Sequence, residues 1–268
     1  MKTRIISGAV LFAILIPTLV IGGYLLLSVL CLVSIGGIYE LTKVFGQHNN
    51  KISILAYTAC FFFYIGMVTI KEPYFIVELV ILFLATLMVY VVAYPHYKLN
   101  ETLVPLLAFL YAGVLISYIY RIRMMESGIF LVWLIFISSW LCDTCAYFSG
   151  VFLGKHKAFP VLSPKKTWEG CIGGVLGSTL IGVIYAVIFA GKITVFKYPI
   201  PAIGIIVFVS AILSIFGDLA ASAIKRENNI KDYSNLIPGH GGIMDRFDSV
   251  IFVTPVIFYL INLCDYYF

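Results

Sequence analysis

The sequence predicts an all-α integral membrane protein, a polytopic bundle of about nine transmembrane helices. Three observations predict it. Apolar residues make up 62% of the 268 and charged residues only 12%, where a soluble domain runs nearer a quarter charged. The mean hydropathy of +1.03 leaves too little polar surface to solvate a water-facing fold. The apolar residues also come in continuous runs near the roughly 20 that a helix needs to cross hydrocarbon, not in the short alternating strands of a barrel. Backbone in lipid must satisfy its own hydrogen bonds, so helices are expected.

Window length places the spans near 5–20, 23–42, 52–70, 74–94, 103–120, 127–150, 169–191, 200–224 and 247–264. The first comes after Met1-Lys2-Thr3-Arg4, the flank of a signal peptide. Its apolar character continues past Gly22-Gly23 to about Tyr39, too far for a cleaved leader. Two spans with a Gly-Gly joint are expected instead. Spans one to five are chemically plain. Glu40 falls near the end of the second and Glu78 inside the fourth, and neither is given a role. There is no internal repeat, and the connections are too short for a soluble domain. Residues 1–126 therefore read as structural, lipid-facing helices, and 127–268 as the region that carries chemistry.

Alternating nine spans from a cytoplasmic N-terminus puts thirteen of the eighteen Lys and Arg inside and five outside. The five are Lys71, Arg121, Arg123, Lys192 and Lys197. This asymmetry predicts the N-terminus in. It sets both long polar connections, 151–168 and 225–246, on the cytoplasmic face. The net charge of +5 lies largely there, where it suits anionic headgroups or a polyphosphate.

The sixth span carries Ser139, Asp143 and Tyr147 at i, i+4 and i+8, one helical face. A carboxylate at mid-span costs about 2.5–3.5 kcal/mol on insertion scales, so it should face a cavity or a partner. Cys142 and Cys145 form a C-x-x-C with no second ligand pair and no nearby His, and read as small buried residues. The next loop adds Ser163-Pro164-Lys165-Lys166. Gly170, Gly173, Gly174 and Gly177 open the seventh span as small-residue packing. Glu169 beside them complements the helix dipole. No G-x-x-x-x-G-K-[ST] occurs, which excludes a P-loop.

The eighth span repeats the polar stripe with Ser214, Asp218, Ser222 and Lys225. Asp218 and Lys225 are two turns apart, roughly 10 Å along the axis, too far for a direct pair. Next come Arg226, Lys231, Asp232 and the turn Pro238-Gly239-His240-Gly241-Gly242. Its glycines let backbone approach a ligand, and its N–H groups can cradle phosphate. Asp245, Arg246 and Asp248 open the ninth span. Asp245 and Asp248 sit at i, i+3, a spacing that lets them share one metal, and oxygen ligands beside phosphate favour magnesium.

At these residues the sequence closely resembles the phosphatidate cytidylyltransferases, also called CDP-diacylglycerol synthases. Their signature is matched at Ser222, Lys225, Arg226, Lys231, Asp232, Ser234, Ile237, Pro238, His240, Gly241, Gly242, Asp245 and Arg246. S-P-K-K-T-W-E-G at 163–170, D-x-x-A-Y-x-x-G at 143–150 and Gly217-Asp218 also look like the family's. The strict resemblance covers about 139–255. Leu153 departs from a common Phe.

The resemblance implies that CTP and phosphatidate give CDP-diacylglycerol and pyrophosphate at the inner membrane. It also implies magnesium dependence, a second cation such as potassium, and a homodimer, with no nucleic-acid partner. It suggests Asp218, Ser222, Lys225, Arg226, Asp245 and Arg246 as catalytic residues. Lys165, Lys166, Lys231, Asp232, His240, Gly241 and Gly242 would bind substrate. Asp218 and Asp245, with Asp248 and Asp143, would hold metal. The competing readings are another lipid phosphotransferase and a transporter. The transporter would need repeated halves with broken helices, which the sequence lacks.

Overall fold

The computed structural model describes residues 2–48, 51–69 and 75–267, and of residues 2–5, 75, 76 and 78 the backbone alone. Glu78, singled out above, therefore lies outside the described side chains. The architecture is predominantly helical. In chain order the helical segments are α1 (Lys2–Ile21), α2 (Gly23–Val44), α3 (Lys51–Thr69), α4 (Phe75–Ala93), α5 (Leu99–Met124), α6 (Gly128–Leu153), α7 (Trp168–Phe189), α8 (Pro199–Glu227) and α9 (Met244–Tyr267). Seven of the described helices, α2, α3 and α5 to α9, are long and apolar enough to cross a membrane. The first and fourth expected spans are helical, with shorter described apolar stretches at Ile6–Ile21 and Leu79–Ala93.

Gly22 and Gly23 both take positive φ, 70° and 55°, which a side chain resists. They make the joint expected between the first two helices. Arg123 reaches across to it, donating from Nε to the Leu19 carbonyl at 2.7 Å and from Nη2 to the Val20 carbonyl at 2.8 Å. The α1 C-terminus thus gains a cation for its last carbonyls, the favourable sign for a helix dipole.

Two features were not anticipated. Lys157–Phe159 (β1) and Ser163–Thr167 (β2) pair antiparallel as a small hairpin between α6 and α7. The hairpin is braced at its base. Glu169 accepts the backbone N–H groups of Lys155 and His156 and meets His156 Nδ1 at 2.6 Å, while Thr167 Oγ1 caps α7 through Gly170 N. Second, α5 and α6 each contain a π-helical turn, at Phe109–Val114 and Ile137–Leu141. Such a turn inserts one residue and so rotates the rest of its helix to face new neighbours.

The main core runs through α2, α5, α6, α8 and α9, and a smaller one lies beneath the hairpin, around Cys142, Cys171, Val175 and Leu219. The α6–α7 contact uses glycines where backbones touch. A Cβ on Gly174 would lie 2.8 Å from Ala146 Cβ, and one on Gly177 would lie 2.9 Å from Cys145 Sγ. This is small-residue helix packing, and Cys142 and Cys145 serve it as compact interface residues. Large apolar side chains such as Phe62, Val92 and Leu180 cover the outside, as in a chain whose solvent is lipid.

Candidate active site

The site begins where α8 crosses α9. A Cβ at Gly217 would come within 2.9 Å of the Asp248 carbonyl and 3.1 Å of Ser249 Cα, so only glycine permits the approach. The next residue, Asp218, thereby faces Asp248. Asp143, from α6, interacts electrostatically with both, and Ser249 Oγ reaches it at 3.5 Å. Three helices thus bring three carboxylates together.

One ammonium enters this group from the hairpin. Lys166 Nζ lies 2.5 Å from Asp218 Oδ2, with side chains only 21% and 26% exposed. Burial pulls the lysine's pKa down, but the charge and hydrogen bond of Asp218, helped by Asp143, outweigh it and hold Lys166 above its ordinary value. Two buried hydroxyls nearby find no hydrogen-bond partner among the described residues, Tyr111 on α5 and Ser214 one turn below Asp218. Tyr111 interacts electrostatically with Asp248 and Asp218. Ser210, one turn deeper, is orphaned in the same way, so the α8 polar stripe extends further into the bundle than its expected start at Ser214.

Asp245 and Asp248 do not share a target, although their spacing puts them on one face. Asp245 turns into the preceding loop. Its Oδ1 takes Lys225 Nζ at 2.7 Å, and its Oδ2 accepts the N–H groups of Tyr233 at 2.8 Å and Gly242 at 2.9 Å. The pair is nearly closed to solvent, at 4% and 12% exposure. As the 10 Å separation required, Lys225 pairs with Asp245 and not with Asp218. The Lys225 ammonium also lies 5.3 Å from the Tyr233 ring centroid. Burial first, then Tyr111, Asp245, Asp248 and Glu40, keep the Tyr233 phenol well above its usual pKa, and it donates to the Ala221 carbonyl.

The glycine turn also differs from its expectation as a phosphate cradle. Gly239 and Gly241 take φ of 78° and 83°, as such a turn requires. But His240 N donates to the Ile237 carbonyl, Gly242 N to Asp245, and Ile243 N and Met244 N to Glu40. Those N–H groups are spent on the protein itself. His240 Nδ1 lies 2.7 Å from Ser7 Oγ, which also donates to the Pro238 carbonyl, and Arg246 Nε donates to the His240 carbonyl.

Glu40 is the residue that sequence reasoning missed. It is 1% exposed and accepts from Ser234, Ile243 and Met244 across roughly two hundred residues of chain. Ser7, Glu40 and Tyr111 all come from the region read as structural and lipid-facing. That half therefore packs against the candidate site.

Ser222 is half-buried between Asp218 and Lys225. Lys165, Arg226, Lys231 and Asp232 are exposed at the same end of the bundle, Arg226 donating to the Ile230 carbonyl. In the sixth-span stripe, Ser139 is buried in the π-turn and bonds back to Ile135, and Tyr147 points outward at 67% exposure. Only Asp143 of that stripe reaches the cluster.

Beside the cluster is a cleft of about 400 Å³. One side is apolar, with Leu11 and Phe12 of α1 and Val29 and Val33 of α2. The other carries Asp143, His240, Arg246 and Asp248.

A family model described as the cytidylyltransferase family matches residues 2–264. The phosphatidate cytidylyltransferase of Bacillus subtilis is 40% identical over 161 residues, 59% of this chain and 57% of that protein. That of Staphylococcus saprophyticus is 37% identical over 155 residues, 57% of this chain and 56% of the relative. In these two the match spans little more than half of the relative's length. A third, from Staphylococcus haemolyticus, is 29% identical over 269 residues, 96% of this chain and 97% of its own.

Proposed function

The chain belongs to the cytidylyltransferase family, and from that premise we propose that it transfers the cytidylyl group of CTP to phosphatidate, giving CDP-diacylglycerol and pyrophosphate. The observation that carries the reading is the two-sided cleft beside the acidic cluster. A diacyl lipid with a phosphomonoester head divides in the same way, into chains that suit α1 and α2 and a charged end that suits Arg246 and its neighbours. The relatives' shared name, phosphatidate cytidylyltransferase, supports the same substrate pair.

Magnesium fits the residues present. Three carboxylates share Lys166, with Lys225 acting on Asp248 from its own pair with Asp245, so carboxylates still outnumber the cations and leave room for one more, and two orphaned hydroxyls stand beside them. Among the described residues no three Asp, Glu, His or Cys side chains close into a ready-made cage. Magnesium seldom uses one, binding through one or two carboxylates and completing its shell with water and substrate phosphates. Asp218, flanked by Asp143 and Asp248, would hold it, and a second cation such as potassium would share these three carboxylates, because Asp245 is occupied by Lys225 and two backbone donors. When bound, such cations neutralise charge on the attacking and leaving oxygens.

The chain's own residues do the positioning. Lys166 brings its ammonium to the cluster on a braced hairpin. Arg246 sets a guanidinium in the cleft wall. Lys165, Arg226 and Lys231 line the approach, where cations offset the repulsion between two phosphate esters. A phosphatidate oxygen attacks the α-phosphorus as the bond to the bridging β-oxygen breaks and pyrophosphate departs. Phosphatidate is already ionised, so no general base is needed. The charge asymmetry supports a cytoplasmic position for this end, and the family resemblance implies an inner-membrane enzyme that forms a homodimer. Labelling of single cysteines from either side, and crosslinking, test both.

The experiment for the reaction is pyrophosphate release by purified protein in detergent with phosphatidate, labelled CTP and magnesium. Release should require all three, cease with EDTA, and fall away with ATP or a polyprenol acceptor. No release over the whole panel refutes the proposal and revives the transporter reading. Retention at a chiral α-thio-CTP refutes direct displacement.

A further inference from the structure

We propose that Glu40 is a positioning residue for the reaction: from α2 it locks the glycine turn and the start of α9 in the geometry the chemistry uses. The inference rests on the reaction proposed above and extends its site into the N-terminal half of the chain.

Glu40 sits in the last turn of α2, the end where its own helix dipole disfavours a carboxylate. It is nonetheless buried to 1% exposure, a cost that needs compensation. The compensation comes from another helix. Oε1 accepts the Ser234 hydroxyl at 2.5 Å and the Ile243 N–H at 2.9 Å, and Oε2 accepts the Met244 N–H at 2.8 Å. Ile243 and Met244 hold two of the unpaired N–H donors that open α9. Gly242 belongs to the same lock, because a Cβ there would collide with both Glu40 oxygens. One carboxylate thus fixes the loop at Ser234, the turn at Gly242 and the helix start at Met244. Asp245 and Asp248 come within the next turn. A helix N-terminus after a glycine turn attracts anions. Here Glu40 fills that position from within, which leaves substrate phosphates to the lysines, Arg246 and the cation.

Glu40→Gln keeps volume but places an amide donor opposite an N–H donor, and Glu40→Asp keeps the carboxylate one methylene short. A misplacement of about 1 Å can cost about 100-fold in rate. The expected result is a kcat per folded molecule about 100-fold below wild type for Glu40→Gln. KM for CTP should change less than about threefold, as for an interaction that matters mainly in the transition state, and Glu40→Asp should recover part of the loss. The control is Tyr64→Phe, which removes the buried bond of Tyr64 to Ser34, 2.7 Å, in the same helical region without touching the turn. It should lower the melting midpoint and leave kcat unchanged. Amide exchange of Ile243 and Met244 gives a readout free of turnover, and it should accelerate in Glu40→Gln.

A Glu40→Gln kcat within threefold of wild type overturns the inference, as does an equal kcat loss in Tyr64→Phe. If wild-type protein releases no pyrophosphate, the reaction reading fails. The exchange rates then still decide whether Glu40 holds the turn, and unchanged protection at Ile243 and Met244 removes it.

Discussion

Breaking the Asp245–Lys225 pair gives the sharpest stability prediction. The Nζ–Oδ1 distance is 2.7 Å and the two side chains are 12% and 4% exposed. At an effective dielectric near 20 the attraction is about 6 kcal/mol before desolvation is subtracted. Removing one partner of a buried pair costs about 3–5 kcal/mol, because the other charge stays buried alone. Asp245→Asn has that effect in a shape-conserving way. Its amide oxygen can still accept from Tyr233 and Gly242, while its amide nitrogen confronts the Lys225 ammonium. At about 2–4 °C per kcal/mol for a chain of this size, the melting midpoint should fall by about 10 °C. Lys225→Met should fall by less, since Asp245 keeps its two backbone donors. The double variant should lose clearly less than the sum of the singles, with a coupling above about 1.5 kcal/mol. The assay is thermal unfolding of detergent-solubilised protein, all four forms at one scan rate. Losses that simply add, within about 0.5 kcal/mol, would show that the two side chains are not coupled and refute the reasoning.

The same geometry fixes the outcome of four other perturbations. Asp218→Asn should lower pyrophosphate release by several orders of magnitude, since it removes the carboxylate shared by Lys166 and the proposed cation, and should lower the melting midpoint through loss of the Lys166 pair without unfolding the protein; near-normal turnover would take Asp218 out of the site. Gly241→Ala should cost at least about 1–2 kcal/mol of stability from its left-handed φ alone, besides the contact of its Cβ with Asp245 Oδ2 at 2.8 Å, read as a lower midpoint with lower kcat. Arg123→Gln removes the bonds to Leu19 and Val20 at the far end of α1, so it should lower the midpoint and leave KM for CTP unchanged. The raised pKa of Lys166 gives a sign for pH: its contribution to stability is full below the ordinary lysine value of about 10.4 and is lost only as pH climbs through the higher folded value, so the midpoint difference between wild type and Lys166→Met should be flat from pH 7 to about 9.

How much the sequence revealed depended on the range of each interaction. Continuous apolar runs are a local property, and each run expected as a span is mainly helical in its described residues, seven of these helices being long and apolar enough to cross a membrane. Close glycine packing between α6 and α7 was legible for the same reason, since Gly170, Gly173, Gly174 and Gly177 recur at helical spacing. Asp143, Asp218 and Asp248 stood out as charges in apolar surroundings, and the fold brings all three together. Glu40 did not stand out, because its partners lie at 234, 243 and 244 and nothing near residue 40 hints at them. The shared face expected for Ser139 and Tyr147 requires an unbroken α-helix, and the π-turn at Ile137–Leu141 breaks that register. Asp245 and Asp248 part for a different reason. Asp245 lies in the first turn of α9, where the N–H groups of Tyr233 and Gly242 and the ammonium of Lys225, from the last turn of α8, take up both its oxygens. The hairpin at 157–167 gave no alternating pattern, and a strand of Ser, Pro, Lys, Lys and Thr looks like loop until its partner is known.

Why carboxylates should take the N–H groups where a glycine turn meets a helix start has a physical answer. Positive φ at Gly239 and Gly241 leads the chain into a helix start, an arrangement that presents N–H donors and the positive end of a dipole to whatever anion is near. Left open beside the proposed substrates, CTP and phosphatidate, such a turn would compete for phosphate oxygens in several poses. In this protein Asp245 and Glu40 occupy it first, one from inside α9 and the other from α2. Each buried carboxylate is matched by donors, so the charge costs little and the turn becomes stiff. The cations that remain, Lys166 on its hairpin and Arg246 on the cleft wall, sit on elements that the stiffened turn and the braced hairpin hold in place. On the proposed reaction, selectivity for where a phosphate lands would come from removing the generic anion site as much as from building the specific one. The N-terminal helices, plain in sequence, supply one of the two carboxylates that do so.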